Sequence, residues 1–290
     1  MSEDIQIKDG YFWGGWRRPI NIWINLPGSI HNDAVAQKVG LRGGTIPGTI
    51  HLNLFPPLLL QAFGQGWFEQ GTLSVYYTYA TTDREEVRAI LGVPPKGVKD
   101  AQVEARAETP DGHTVLKGTA SMGDPKEPSY LQTVELKNAK AEELRILAGL
   151  KAGSDLEAAD VIISQESVDK SLETITDPMD WYRGPSPWGR AIAPPAVTAR
   201  SMMILPVRED GKTLERLQAV GFYGATELHY INGPVKIGIP YQAKGKLICV
   251  GASSKTEFIW YDVTLDEKES GKRVAAMRQM TRWMKSSFAG

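Results

Sequence analysis

The sequence predicts an α+β chain built by internal duplication. A glycine-led turn running into an apolar segment occurs twice, about half a chain apart. Each occurrence is followed by strand-like stretches, and 290 residues suffice for two units of ordinary size. The first copy is Gly43-Gly44-Thr45-Ile46-Pro47-Gly48, leading into Thr49 to Phe63; the second is Gly189-Arg190-Ala191-Ile192-Ala193-Pro194, leading into Pro195 to Val207. In both, the turn opens a helix, where backbone N–H groups point outward and attract a carbonyl or an anion. The first copy has Gly48 where the second has Pro194, and proline has no N–H to offer.

Pro56-Pro57 cannot lie inside a continuous helix, so the first apolar segment is expected to split in two, with the second piece starting at the prolines. Residues 73–79, 102–108 and 114–122 read as half-buried strands, the last after the turn at Asp111-Gly112. The same order returns at 227–231, 241–250 and 256–265, and aligning Gly71 with Gly224 places Tyr77 on Tyr230. Between the copies, Leu144, Ile146, Leu147 and Leu150 have helical spacing and predict a connecting helix over 139–150. Val274 to Phe288 is expected to be strand first and helical tail after. The units are thus 1–130, a connecting helix and linker at 131–158, and 159–290.

The composition removes several function classes. The net charge is −1 and no Lys/Arg run exceeds two residues, which excludes the footprint of a nucleic-acid binder. Cys249 is the single cysteine, so neither an internal disulfide nor a thiolate zinc cluster is available. The longest apolar run, Leu52 to Phe63, is short and carries two prolines, so no membrane span is expected. With an acidic, polar N-terminus the expectation is a cytoplasmic protein. No nucleotide-binding glycine loop or serine elbow is present.

A sheet wrapped around a central apolar helix, repeated once, resembles the double hotdog fold of the MaoC-like acyl dehydratases. Ile30-His31-Asn32-Asp33-Ala34-Val35-Ala36, Gly40 through Gly48 and Trp188 through Pro195 carry the resemblance, which spans roughly 20–125 and 160–275. It implies two antiparallel sheets, each around a central helix, paired within one chain. It also implies an Asp and a His five residues apart holding a water, in the pattern Asp-x-Asn-Pro-Ile-His, with an N–H at the helix start polarising a thioester carbonyl. Here position 26 is leucine while His31 is present, and Gly28-Ser29 stands for Asn-Pro. In the second copy the same pattern puts Asp177 on the acid position and Tyr182 on the histidine position.

His31, in a polar turn before a glycine-rich helix start, is the expected acid–base group. Asp33 is either the cap of a short helix or the group that orients His31. Gly48 is the expected carbonyl donor through its N–H. His51, one turn further on, lines the pocket or is a satisfied core histidine. Asp177 and Tyr182 are the substrate-binding candidates of the second copy, against a structural corner as the alternative. Arg17, Arg18 and Arg42 are surface arginines or meet the phosphates of coenzyme A. Glu227 and His229 share a strand face but supply only two ligands, too few for a metal site.

The expected activity is that of a hydratase or dehydratase-type lyase acting next to a carbonyl, on an acyl thioester or on a small carbonyl compound that it cleaves, isomerises or cyclises. A non-catalytic binding subunit is the third alternative. No cofactor is expected, coenzyme A entering only as part of the substrate; the partner is a small molecule, and assembly into a homo-oligomer is left open.

Overall fold

The computed structural model describes residues 4–174, 176–206 and 219–288; Val207, the expected end of the second apolar segment, lies outside them. The N-terminal half contains β1 (Gln6–Lys8), β2 (Tyr11–Trp13), α1 (Asp33–Lys38), a 3-10 helix (Gly48–Leu54), α2 (Pro56–Phe63), α3 (Trp67–Gln70), β3 (Gly71–Tyr77), β4 (Arg88–Gly92), β5 (Ala101–Glu108) and β6 (Thr114–Met122). The C-terminal half contains β7 (Asp155–Ile162), α4 (Gln165–Leu172), α5 (Pro195–Ser201), β8 (Gly221–Tyr230), β9 (Pro240–Ala252), β10 (Thr256–Glu267) and β11 (Arg273–Met284).

The eleven strands form one antiparallel sheet in the order β1-β2-β4-β5-β6-β3-β8-β11-β10-β9-β7. The two expected sheets are its two halves, joined where β3 pairs with β8 in the register Leu73↔Leu228, Ser74↔Glu227 and Val75↔Thr226. At this seam the buried Glu227 carboxylate accepts hydrogen bonds from the Ser74 hydroxyl at 2.6 Å and from the Ser129 hydroxyl. Glu227 is therefore a structural tie. Among the described residues, no group of three or more His, Cys, Asp or Glu side chains is placed to hold a metal ion.

The apolar segments pack against this sheet. Leu52, Phe55 and Leu59 of the first, Ile192 and Val197 of the second, and Leu73, Val75 and Leu228 of the seam belong to one buried cluster spanning both halves. The first segment breaks at the prolines as expected. The 3-10 helix ends at Leu54, and Pro56 and Pro57 occupy the first turn of α2, where a missing N–H costs nothing because no intrahelical acceptor exists there. Strand β11 runs through Met284 and is followed by a single 3-10 turn at Lys285–Ser287. None of the described helices is long and apolar enough to cross a membrane.

The connecting helix expected at 139–150 is absent; a 3-10 turn at Ala141–Glu143 is the helical structure found there. Ile146 and Leu147 are buried, but their spacing serves a segment pinned by tertiary hydrogen bonds. The N–H groups of Arg145 and Leu147 both donate to the carboxylate of fully buried Glu257, each at 2.9 Å. The Ala139 N–H donates to the Val250 carbonyl at 2.8 Å. These donors are spent on β9 and β10, so no helical ladder forms. Strand β7 begins inside the stretch assigned to the linker, and its alternation of charged and small residues hides it from a hydropathy reading.

Replacing Glu257 with Ala strands two N–H donors in the core, so Glu257→Ala is expected to lower the unfolding free energy by about 2–5 kcal/mol. Urea titration of both proteins measures this, and an unchanged midpoint would show that the linker is not held by this carboxylate.

Candidate functional site

A cleft of about 680 Å³ opens where the loop carrying His31, the start of the 3-10 helix at Gly48, the end of β3, the start of β8 and the end of β11 meet. Its walls include Leu26, Ile46, Phe222 and Trp283, and no Asp, Glu, Lys or Arg among the described residues lines it. His31, Gly48 and His51 all border it.

The His31 loop is held by its own backbone. Asn21 Nδ2 donates to the His31 carbonyl at 2.8 Å, and the His31 N–H donates to Ser29 Oγ at 3.3 Å. His31 Nδ1 lies 2.7 Å from the Thr45 carbonyl oxygen. A carbonyl only accepts, so Nδ1 carries the proton and Nε2 is left with the lone pair. Burial pushes the His31 pKa below its usual 6.5 against the opposing effect of the Thr45 carbonyl. The ring is neutral at pH 7 and available as a base.

Asp33 does neither of the things expected of it. The cap of α1 is Asn32, whose Oδ1 accepts from the Ala34 and Val35 N–H groups at 3.1 and 3.4 Å. Asp33 Oδ1 instead accepts the Gly44 N–H at 2.6 Å and so closes the glycine turn onto the His31 loop. A Cβ on Gly44 would stand 2.4 Å from the His31 carbonyl oxygen, which is why this position has no side chain.

Gly48 begins the 3-10 helix, whose first N–H groups have no acceptor within the helix. A Cβ at Gly48 would lie 3.0 Å from three ring atoms of Tyr77, so the helix start rests directly on that ring. The Tyr77 hydroxyl donates to Thr226 Oγ1 at 3.1 Å, which donates to Gln279 Oε1 at 2.6 Å. Burial pushes the Tyr77 phenol upward, with the Thr226 hydrogen bond opposing. His51 Nε2 is 2.9 Å from Thr81 Oγ1, and burial pushes its pKa down to about 4 against the pull of the Glu85 charge. His51 Nδ1 is enclosed and has no partner.

Among the described residues, the helix start of the second copy offers no comparable donors. Pro194 and Pro195 both lack N–H groups, and the next, that of Ala196, donates to Asn53 Oδ1 at 3.0 Å. The donors at this helix start are thus absent or taken by the first copy. Space at the matching end of the seam is filled by aromatic rings: Trp67 stands 5.3 Å from Tyr230, and Phe68 stands 5.7 Å from Tyr230 and 6.0 Å from Trp188. Trp188 Nε1 donates to Glu69 Oε1 at 2.8 Å and holds this plug shut.

Tyr182 lies in the same buried region, 1 % exposed, with its hydroxyl unpartnered. Asp177 is engaged with Arg17 through two hydrogen bonds of 2.7 and 2.8 Å, which raise the Arg17 pKa. Neither Tyr182 nor Asp177 borders the cleft that holds His31. Arg42 pairs with Glu85 at 2.8 Å and Arg18 with Glu86 at 3.1 Å, so each of the three arginines considered for phosphate binding has a carboxylate partner.

Sequence reasoning missed Tyr77, Tyr223 and Thr281, which enter the cleft from strands. The available signal was the Gly221-Phe222-Tyr223-Gly224 start of β8, where aromatic side chains flanked by glycines stand at a strand end.

His51 supplies a stability test. The unfolded histidine titrates near 6.5 and the folded one near 4, so between these values the unfolded chain binds a proton that the folded chain excludes. The contribution is complete above pH 6.5 and is lost as the pH falls toward 4, a difference of about 3 kcal/mol. In His51→Gln the loss of unfolding free energy over this window should be smaller than in the unsubstituted protein. Equal slopes in urea titrations across the window would refute a buried neutral His51.

No family model and no curated protein matches the chain. Solved structures do match it. A MaoC domain protein from Chloroflexus aurantiacus J-10-fl aligns at a TM-score of 0.57 and 11 % identity, over 97 % of this chain and 94 % of its own. A MaoC-like dehydratase aligns at 0.53 and 11 %, over 94 % and 97 % respectively. A conserved hypothetical protein from Mycobacterium tuberculosis, described as having a double hotdog fold, aligns at 0.59 and 10 %, over 96 % and 97 %. Sequence identity is low throughout, yet the alignments run nearly end to end. The chain has the double hotdog fold.

Proposed function

We propose that the protein is a dehydratase-type lyase that eliminates water from a β-hydroxy carbonyl compound, or adds it back, in the cleft of the N-terminal half. The supporting observation is that one cleft is bordered both by a neutral imidazole with a free Nε2 and by the helix start at Gly48. In this reaction the substrate carbonyl oxygen sits on the N–H groups at the helix start, which stabilise the enolate as negative charge develops. His31 Nε2 removes the proton from the carbon next to the carbonyl, and the β-hydroxyl departs as water.

Leu26 stands at the position of the missing acid, so elimination and its reverse, which share one transition state, both take the proton on the β-oxygen from another group. Hydrolysis of a thioester is disfavoured because no carboxylate among the described residues lines the cleft to activate water. The pairing of Arg17, Arg18 and Arg42 with carboxylates favours a carbonyl compound without coenzyme A over an acyl-coenzyme A.

Purified protein incubated with a short 3-hydroxyacyl-coenzyme A and, separately, with a β-hydroxy ketone is expected to release the unsaturated product from at least one. His31→Ala should reduce the rate by about 10²- to 10⁴-fold. Because His31 acts as the neutral ring with a pKa below 6.5, kcat/KM should be level through pH 7 and fall only below 6.5. An acid limb centred above 6.5, or full activity in His31→Ala, would sink the assignment.

A further inference from the structure

The elimination needs a proton for the departing hydroxyl, and the acid expected at position 26 is a leucine. Few hydroxyls on the cleft wall are free to supply it. Tyr77 donates to Thr226, Thr45 to the Ile30 carbonyl, Thr78 to the Thr114 carbonyl and Tyr79 to Glu85. The Thr281 hydroxyl is enclosed, out of reach of a ligand. Ser29 Oγ accepts from the His31 N–H, and an aliphatic hydroxyl is a far weaker acid than a phenol. Among the described residues Tyr223 remains: it lines the cleft, its hydroxyl makes no hydrogen bond to a described residue, and it is not among the enclosed, unpartnered polar atoms.

The second observation is an arginine. The Arg200 guanidinium, at the end of α5, is largely buried, and no carboxylate among the described residues pairs with it. Its Nη2 donates to Ser171 Oγ at 3.2 Å, its plane lies 5.1 Å from the Trp23 ring, and Nη1 is enclosed without a partner. Trp23 in turn stands 6.1 Å from the His31 ring, and α5 packs against β8, the strand that carries Tyr223. Burial of an uncompensated cation is costly unless an anion arises beside it.

From this placement we infer that Tyr223, contributed by the C-terminal half, is the catalytic acid of the N-terminal cleft, and that Arg200 is its positioning residue, stabilising the phenolate that forms. This rests on the dehydration chemistry proposed above. The atoms balance without a further reactant. His31 Nε2 takes the proton from the carbon next to the carbonyl as the enolate forms. The enolate electrons then make the carbon–carbon double bond while the bond to the β-oxygen breaks. Tyr223 gives its proton to that oxygen, which leaves as water. The proton on His31 returns to the Tyr223 phenolate through solvent. Burial raises the Tyr223 pKa while Arg200 lowers it, so the phenol keeps its proton at neutral pH and still has a counter-charge when it loses it.

Two reactions separate this role from that of His31. Elimination from the β-hydroxy carbonyl substrate requires both residues, whereas exchange of the proton next to the carbonyl into D₂O, on the analogue lacking the hydroxyl, requires His31 alone. Tyr223→Phe should reduce elimination by about 10²- to 10⁴-fold while exchange stays within about twofold. Arg200→Gln should slow elimination and move its alkaline limb to higher pH, because a phenol without its cation is a weaker acid. Should Tyr223→Phe leave elimination intact, or reduce both reactions equally, Tyr223 is not the acid. An Arg200→Gln rate loss with an unmoved limb would leave Arg200 a packing residue only. Absence of both reactions in the unsubstituted protein, or their survival in His31→Ala, overturns the dehydratase assignment and this inference with it.

Discussion

The pairing of β3 with β8 is the constraint on which the remaining architecture depends. Because the two strands run antiparallel, with Ser74 opposite Glu227, equivalent residues on the two halves are thrown to opposite ends of the seam. Tyr77 lies three residues beyond Ser74, and Tyr230 three beyond Glu227, so each tyrosine approaches the beginning of the other half's strand. Each end is therefore built from the helix start of one copy and the strand start of the other. The buried Glu227 carboxylate, tied to Ser74 and Ser129, fixes this register in the middle of the sheet. Slippage by one residue would turn the whole apolar face of β3 outward.

That geometry creates two equivalent positions, and the sequence has made them unequal. One end keeps Gly48 against the flat of Tyr77 and leaves a cleft above it. At the other, two prolines delete the donors, Asn53 takes the next, and Trp67, Phe68 and Trp188 fill the volume. The filling contributes to folding as well. Aromatic rings in offset and edge-on contact bury large areas and favour one another by about 0.5–1.5 kcal/mol per pair beyond that burial. The second copy has become a support for the first, supplying the β8 and β11 walls of its cleft.

Features encoded by local backbone chemistry were legible in the sequence. The break at Pro56-Pro57, the duplicated glycine turns, the contrast of Gly48 with Pro194 and the order of the principal strands follow from residues that restrict their own conformation. Features set by distant partners were not. Apolar spacing at 144–150 looks helical until Glu257, more than a hundred residues away, draws the N–H groups of Arg145 and Leu147 out of any helix. Asp177 fits an acid position by pattern, but Arg17 claims it from the other half. Asp33 looked like a cap, yet the neighbouring Asn32 caps α1, and Asp33 serves a glycine eleven residues on. Tyr223 and Arg200 carry no motif, and their relation to His31 exists only once the halves are paired.

The leucine at position 26 changes the electrostatics of the cleft as much as its list of groups. A carboxylate beside His31 would favour the imidazolium and raise its pKa. Without one, desolvation dominates and the ring titrates below its usual value. A base of lowered pKa has a conjugate acid that gives its proton up readily, which suits a reaction that must reset after each turnover. The Gly48 helix start offers N–H dipoles to the cleft, and the Arg200 cation lies on the Trp23 ring that neighbours His31. Among the described residues no carboxylate lines the cleft to hold a water as a base. In the proposed elimination the cleft instead stabilises negative charge that develops on the substrate and on a neighbouring phenol. An enolate and a transient phenolate are the anions that the proposed elimination generates, and in that proposal the loss of the acid and an arginine with no carboxylate partner among the described residues are two sides of one electrostatic arrangement.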